Sequence, residues 1–201
     1  ALVLVFTQTY ISAINFTIQF IMYEKLKESL RSAYDLKVEE RDSFETEPWK
    51  IQLRKEFLDL LKSESKTTLL EVGAGTGVHG AFFDRSGLQV VSTDLSLAMV
   101  EACEAKGLNA VQMDFLSLDF NHQTFDAVFA LNCFLHVPPE DLPSVLEAMR
   151  RVLKPQGLLY WGQYGGKNYQ GQLDNDDYTP QRFFSFLSDD SMKSAGIKIF
   201  N

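Results

Sequence analysis

Between Thr67 and Asp94 the chain reads TTLLEVGAGTGVHGAFFDRSGLQVVSTD, and this stretch limits the possible folds more than any other. Leu69, Leu70 and Val72 form a short apolar run that leads into three glycines at alternate positions, Gly73, Gly75 and Gly77. A helical segment is predicted over 78–86, with Gly87 as its stop. Gln89 to Thr93 is a second run rich in β-branched residues, closed by Asp94. Strand, glycine loop, helix, strand and terminal acid make half of a nucleotide-binding α/β fold.

The loop has a physical logic. Gly73 permits a sharp turn off the strand, and Gly75, lacking a Cβ, lets a ligand lie against the backbone. Gly77 lets the helix start close to the sheet. The spacing is G-x-G-x-G, with Val78 where the dinucleotide fingerprint carries its third glycine. Asp94 lies at the distance where a carboxylate can accept hydrogen bonds from both hydroxyls of a ribose. Glu71 adds a second negative charge, which suits a cationic ligand better than a pyrophosphate.

The remaining pattern continues the alternation of helix and strand. Apolar stripes predict helices over 23–34 and 49–61, joined by a polar, charged segment. Ser96 reads as the N-cap of a helix over 97–106 that Gly107 stops. Strands are predicted over 109–113, 124–131 and 158–163, with an amphipathic helix over 140–153 between the last two. The 124–131 run is nearly all apolar, as for a strand buried on both faces. A short helix over 188–195 is expected to stop at Gly196, with a further strand over 197–200.

Residues 1–23 carry no charge, but Thr7, Gln8, Thr9, Ser12, Asn15, Thr17 and Gln19 interrupt them, which argues against a membrane span. No basic segment precedes them, so a signal peptide is not expected. The net charge of −8 disfavours a nucleic-acid partner. Cys103 and Cys133 show neither metal spacing nor a disulfide framework. No metal site is expected, and a reducing, cytoplasmic setting is the default.

Glu71-Val-Gly-Ala-Gly-Thr-Gly77, followed by Asp94 and by Met113-Asp114-Phe115, resembles the class I S-adenosylmethionine-dependent methyltransferases. Tyr164-Gly165-Gly166 and Arg182-Phe-Phe-Ser-Phe186 are similar to a bacterial subgroup of methyltransferase-domain proteins. The resemblance implies a Rossmann-like, doubly wound, mostly parallel α/β sheet. It implies S-adenosylmethionine as cofactor, shaped by Gly73, Ala74, Gly75 and Gly77. Glu71 would orient its amino-acid end and Asp94 its ribose. Leu95 and Met99 would lie beside ribose and adenine, and Asp114 would read the adenine amine next to Met113 and Phe115. Leu131 and Asn132, after the fourth strand, would complete the contacts. The N-terminal segment would fold over the cofactor, making Tyr34, Arg41 and Trp49 candidates for capping its methionine end. His136 is the candidate base or acceptor-positioning group.

These readings divide the chain into an extension over 1–21, a helical cap over 22–66 and the S-adenosylmethionine-binding domain over 67–201. The family's sheet closes with a sixth and an antiparallel seventh strand. Here only 197–200 is left for strand six, so the C-terminal strand pair is expected to be incomplete and the chain part of a longer protein. Residues 1–21 are expected outside the sheet; the alternation at Ile14 to Phe20 is the one spare strand pattern. The expected function is methyl transfer to a small-molecule O, N or S acceptor. An S-adenosylmethionine-binding module without turnover and a nicotinamide-dependent oxidoreductase are the alternatives. The sequence supports no assignment of oligomeric state.

Overall fold

The computed structural model describes residues 8–200, with side chains from residue 21 onward. Three helices come first: α1 (Gln8–Asp35), α2 (Val38–Asp42) and α3 (Pro48–Ser63). Strands and helices then alternate: β1 (Thr68–Val72), α4 (Val78–Arg85), β2 (Gln89–Asp94), α5 (Leu97–Ala105) and β3 (Asn109–Gln112). After β4 (Phe125–Leu131) come a 3-10 turn at Phe134–His136, α6 (Leu142–Val152) and β5 (Leu153–Gly162). A two-stranded ribbon, β6 (Tyr169–Gln172) and β7 (Phe183–Phe186), precedes α7 (Asp189–Phe200).

The main sheet has five strands in the order β3-β2-β1-β4-β5, all parallel. β1 lies at the centre, where Leu70 faces Val91 on one side and Val128 on the other. Successive side chains of a strand point to opposite faces, and here both faces are covered. Leu69, Ala127 and Phe129 pack with Phe57, Leu58 and Leu61 of α3 and Phe83 of α4. Leu70, Val72, Val128 and Ala130 pack with Val145, Leu146, Met149 and Val152 of α6. The strand order reverses between β1 and β4, and an open α/β sheet forms its crevice at such a point.

Two segments with strand patterning are helix in the structure, while α2 and the β6–β7 ribbon form where no element was expected. The final strand expected over 197–200 is helix: α7 runs unbroken through Gly196. Ala195 and Ile199, four residues apart, pack onto the α6 side of the core, and that helical spacing prevails over the β-branched look of the segment. The spare strand pattern at Ile14 to Phe20 is likewise helical, within α1. The expectation for 1–21 falls partly outside the described residues; from Gln8 onward the backbone is helix and joins no strand. Among the described residues, β6 and β7 pair only with each other, antiparallel, and no helix is long and apolar enough to cross a membrane.

At the N-terminal edge of the sheet a carboxylate ties three segments. Asp126 Oδ2 accepts from the Thr67 and Thr68 amides at 3.0 and 2.9 Å and from Thr68 Oγ1 at 2.8 Å. Lys154 Nζ donates to Oδ1 at 2.9 Å. Burial opposes ionisation, but the Thr67 amide, the Lys154 ammonium and the Thr68 donors outweigh it and hold the carboxyl well below the usual carboxylate range. A depressed folded value stabilises the fold above the unfolded value and loses that effect as pH falls. Asp126→Asn is therefore expected to cost about 1–2 kcal/mol at pH 7. Denaturant melts of both proteins should converge as pH drops below about 4; a gap that stays constant with pH would refute the electrostatic account.

Candidate functional site

A cavity opens at the C-terminal ends of β1, β2 and β4, beneath α1 and α2. Its floor is the glycine loop. Gly73 has φ +63°, and a Cβ there would stand 2.3 Å from the Cβ of Cys133, so the loop crosses the start of the post-β4 segment in direct contact. Gly75, at φ +56°, faces open cavity with only the Arg41 guanidinium, 3.8 Å away, near the place of a Cβ. A left-handed backbone of this kind favours glycine.

Asp94 holds the loop in shape. Its Oδ2 accepts from the Gly75 amide at 2.8 Å and its Oδ1 from the Ser96 amide at 2.9 Å. Burial pushes its pKa up to about 6, against the pull of those amides and of Arg41. Each oxygen keeps a lone pair for a ligand hydroxyl. Ser96 also caps α5 by accepting the Met99 amide at 3.1 Å, as the sequence suggests, and its hydroxyl donates to Asp35 at the end of α1. At the far end, Asp114 Oδ1 accepts the Leu116 amide at 3.1 Å, while Lys27 of α1 pairs with Oδ2 at 2.5 Å.

Of the sequence-selected residues, Gly73, Ala74, Gly75, Asp94, Leu95, Met113, Asp114, Phe115, Leu131, Asn132 and His136 line this one cavity. Tyr34 and Arg41 join them from the N-terminal segment. Four others do not. Met99 is fully buried beneath α5, where the apolar environment takes it into the core. The space around Gly77 is filled by Leu108 and Cys103, so it brings the loop onto α5 rather than facing the cavity. Trp49 turns away to stack edge-on against Tyr164, 5.8 Å between ring centres. Glu71 lies behind the loop: Ser92 Oγ donates to it at 2.8 Å and the Gly80 amide also bonds to it. Burial pushes its pKa up to about 7. Its charge, legible as a ligand contact in the sequence, is used to brace the loop from beneath.

His136 is buried in the 3-10 turn, between two partners. A carbonyl can only accept, so Nδ1–H donates to the Phe183 carbonyl at 2.7 Å. Burial pushes its pKa down to about 4, so at neutral pH the ring is uncharged and Nε2 accepts the Tyr34 hydroxyl at 2.8 Å. Tyr34 oxygen in turn accepts from Arg182 at 3.2 Å. Arg182 pairs with Asp176 and lies 3.4 Å over the Tyr178 ring, and Tyr178 accepts from Arg41 at 3.1 Å. This lattice joins α1, α2 and the segment between β6 and β7 across one side of the cavity. The sequence reading missed Lys27, His79, Tyr178 and Arg182. Only the Arg-Phe-Phe-Ser-Phe motif signalled Arg182; His79 follows the loop directly but is no part of the glycine pattern, and Lys27 and Tyr178 lie in segments with no fixed spacing to the loop.

A glycine loop between a ribose-distance acid and a second acid, at the topological switch of a five-strand parallel sheet, defines the class I S-adenosylmethionine-binding α/β fold. Residues 69–157 match the family described as "Methyltransferase domain". Over those residues the chain matches the methyltransferase domain of the class I S-adenosylmethionine-dependent enzymes. It is 33% identical over 128 residues to a glycine/sarcosine N-methyltransferase of Halorhodospira halochloris, covering 59% of this chain and 47% of that protein. It is 37% identical over 94 residues to a demethylmenaquinone methyltransferase of Corynebacterium kroppenstedtii, covering 45% and 39%. A tRNA N(3)-methylcytidine methyltransferase of Schizosaccharomyces pombe is 27% identical over 132 residues, covering 58% and 43%. These matches thus span less than half the length of each relative. The fold is similar to the solved DhpI–SAH complex, with TM-score 0.64, 23% identity and 87% of each chain covered.

The position of Glu71 yields a test. Glu71→Gln keeps the shape of the brace and removes a charge that does not reach the cavity. Affinity for S-adenosylhomocysteine is expected to stay within about threefold, under about 1 kcal/mol. A loss of about 30-fold or more by calorimetry would return Glu71 to the contact set.

Proposed function

We propose that this chain transfers a methyl group from S-adenosylmethionine to a small-molecule acceptor at O, N or S. The observation that carries the reading is that Gly73, Gly75, Asp94 and Asp114 line one and the same cavity. In this reading ribose hydroxyls donate to Asp94 and the adenine amine to Asp114, with Met113, Phe115 and Leu95 beside the rings. Arg41 lies against Gly75 and has a buried Nε without a partner, which supports a role in holding the methionine carboxylate. Leu131 and Asn132 close the cavity from the end of β4.

The sulfonium is already an activated leaving group, so the protein's main task is to hold the acceptor in line with the methyl. His136 supports such a role through Tyr34. Its Nε2 is occupied, so a proton leaving the acceptor would pass to the Tyr34 oxygen while the Tyr34 proton moves to His136. The enclosure of the cavity by α1 and by the Tyr34–Arg182–Tyr178 lattice, with the net charge of −8, supports a small acceptor over a nucleic acid. Methylation of tRNA by the purified protein would reverse that choice. The free, buried Cys103 and Cys133 support a reducing, cytoplasmic setting.

Calorimetry with S-adenosylmethionine, S-adenosylhomocysteine and NADH tests the cofactor. Binding of the first two and not the third is expected; the reverse would overturn the reading in favour of an oxidoreductase. Asp94→Ala should weaken S-adenosylhomocysteine binding by about 1.5–3 kcal/mol in a folded protein. The ligand's hydroxyls need the ionised acid, and the pKa of Asp94 is raised, so protonation takes over as pH falls through about 6. Wild-type affinity should decline there, and the decline should be absent in Asp94→Ala.

Tyr34→Phe separates positioning from binding. Turnover on an acceptor found by screening is expected to fall about tenfold or more, with cofactor affinity held within about threefold. Equal losses in both would make the Tyr34–His136 pair a structural strut.

A further inference from the structure

Opposite the Asp114 end, the cavity runs out between α3 and the first turn of α4, where Lys50 and His79 line it. The chemistry of this end differs from the rest. His79 Nδ1 is buried and has no hydrogen-bond partner. Arg54 is one turn from Lys50 on α3, on the same helix face. Its Nη1 reaches the carbonyl of Val78, the residue before His79, at 3.5 Å, and its Nε is also buried without a partner. A buried donor left unpaired costs about 1–3 kcal/mol unless a ligand or water satisfies it.

The charges here are mostly of one sign. Among the described residues no carboxylate pairs with Arg54, which lies 4.5 Å over the Phe82 ring. Desolvation and then the neighbouring Arg85 pull its pKa down. The His79 ring packs 5.6 Å from Phe129, and burial, then Arg54 and Lys50, push its pKa down to about 4. Lys50 has one acid, Glu47 at 2.6 Å, on the solvent side, and lies over the Trp49 and Tyr164 rings. Glu45, Asp94 and Asp114 are the acids among the described residues that line the cavity. Asp94 and Asp114 sit along the stretch that the cofactor reading fills. Arg41, against the glycine loop, is taken in that reading by the cofactor's own carboxylate.

We infer that Lys50, Arg54 and His79 form an anion-binding subsite, and that the methyl acceptor carries an anionic group, a carboxylate or a phosphate, received there. This rests on the cofactor reading above. It narrows the acceptor from any small molecule to one with a negative group at one end and the methyl-accepting atom at the other. A neutral His79 contributes one hydrogen bond and Lys50 a charge at the cavity lining, while Arg54, held behind the lining on the Val78 carbonyl and over the Phe82 ring, adds its positive field.

The test uses the intact chain saturated with S-adenosylhomocysteine, so the cofactor's carboxylate is already in place. Inorganic phosphate and acetate, each titrated against chloride at constant ionic strength, are followed through the His79 ring resonances by NMR. At least one anion is expected to give a saturable shift. Arg54→Gln and Lys50→Gln should each weaken it about fivefold or more, with S-adenosylhomocysteine affinity preserved as proof of folding. A parallel titration omits S-adenosylhomocysteine, and three results would overturn the inference: no saturable shift with either anion in either titration, equal shifts in wild type and both variants, or a shift present without S-adenosylhomocysteine and absent with it. The last would assign the subsite to the cofactor's carboxylate. If S-adenosylhomocysteine itself does not bind, calorimetry shows before any anion is added that the cofactor reading has failed, and the acceptor assignment falls with it.

Discussion

The site depends on a half-buried carboxylate that closes a loop. Asp94 ends β2 and accepts the amides of Gly75, after β1, and of Ser96, before α5. Two strand ends and a helix start are thereby set by one side chain. Glu71 braces the same loop from beneath through Ser92 and Gly80. A Cβ at Gly80 would come within 2.3 Å of the Glu71 oxygen, so α4 can approach the sheet only because that position has no side chain. Two acids that both look like ligand contacts in the sequence thus divide the work: one faces the cavity, the other its support.

Above this floor, the N-terminal helices act as the wall that the sheet alone does not provide. α1 contributes Lys27 to Asp114, Asp35 to Ser96 and Tyr34 to His136, three contacts spaced along the cavity. The spacing is about two helical turns from Lys27 to Tyr34–Asp35, so the pairing follows from the helix running along the C-terminal edge of the sheet. The segment between β6 and β7 meets it there through Arg182. The enclosure comes from segments distant in sequence, and that is why it sets the acceptor environment without leaving a motif.

How far the sequence discloses the molecule follows from the same division. Short-range signals were reliable. The strand–loop–helix–strand run from Thr67 to Asp94 is built as read, because glycine backbone freedom, strand alternation and the Ser96 cap act within a few residues. Asp94 and Asp114 stand in the cavity as their positions suggest. What was not legible depends on the third dimension. Met99 and Glu71 sit in plausible motif positions, yet burial turns one into the core and the other behind the loop. His79 follows the glycine loop directly, but only α3 packing over it shows that its ring nitrogen lacks a partner. The segment over 197–200 has β-branched character, and tertiary packing against α6 makes it helix instead.

The knot around Asp126 has a consequence for how this chain can change. It lies at the start of β4, while the cavity begins at the last residue of that strand, Leu131, five residues on at about 3.3 Å per residue. Groups that far apart and sharing no partner contribute almost independently to free energy. One rim of the sheet can therefore absorb gains or losses in robustness while the opposite rim is remodelled for a new acceptor. An engineer, or natural selection, could adjust the two rims separately.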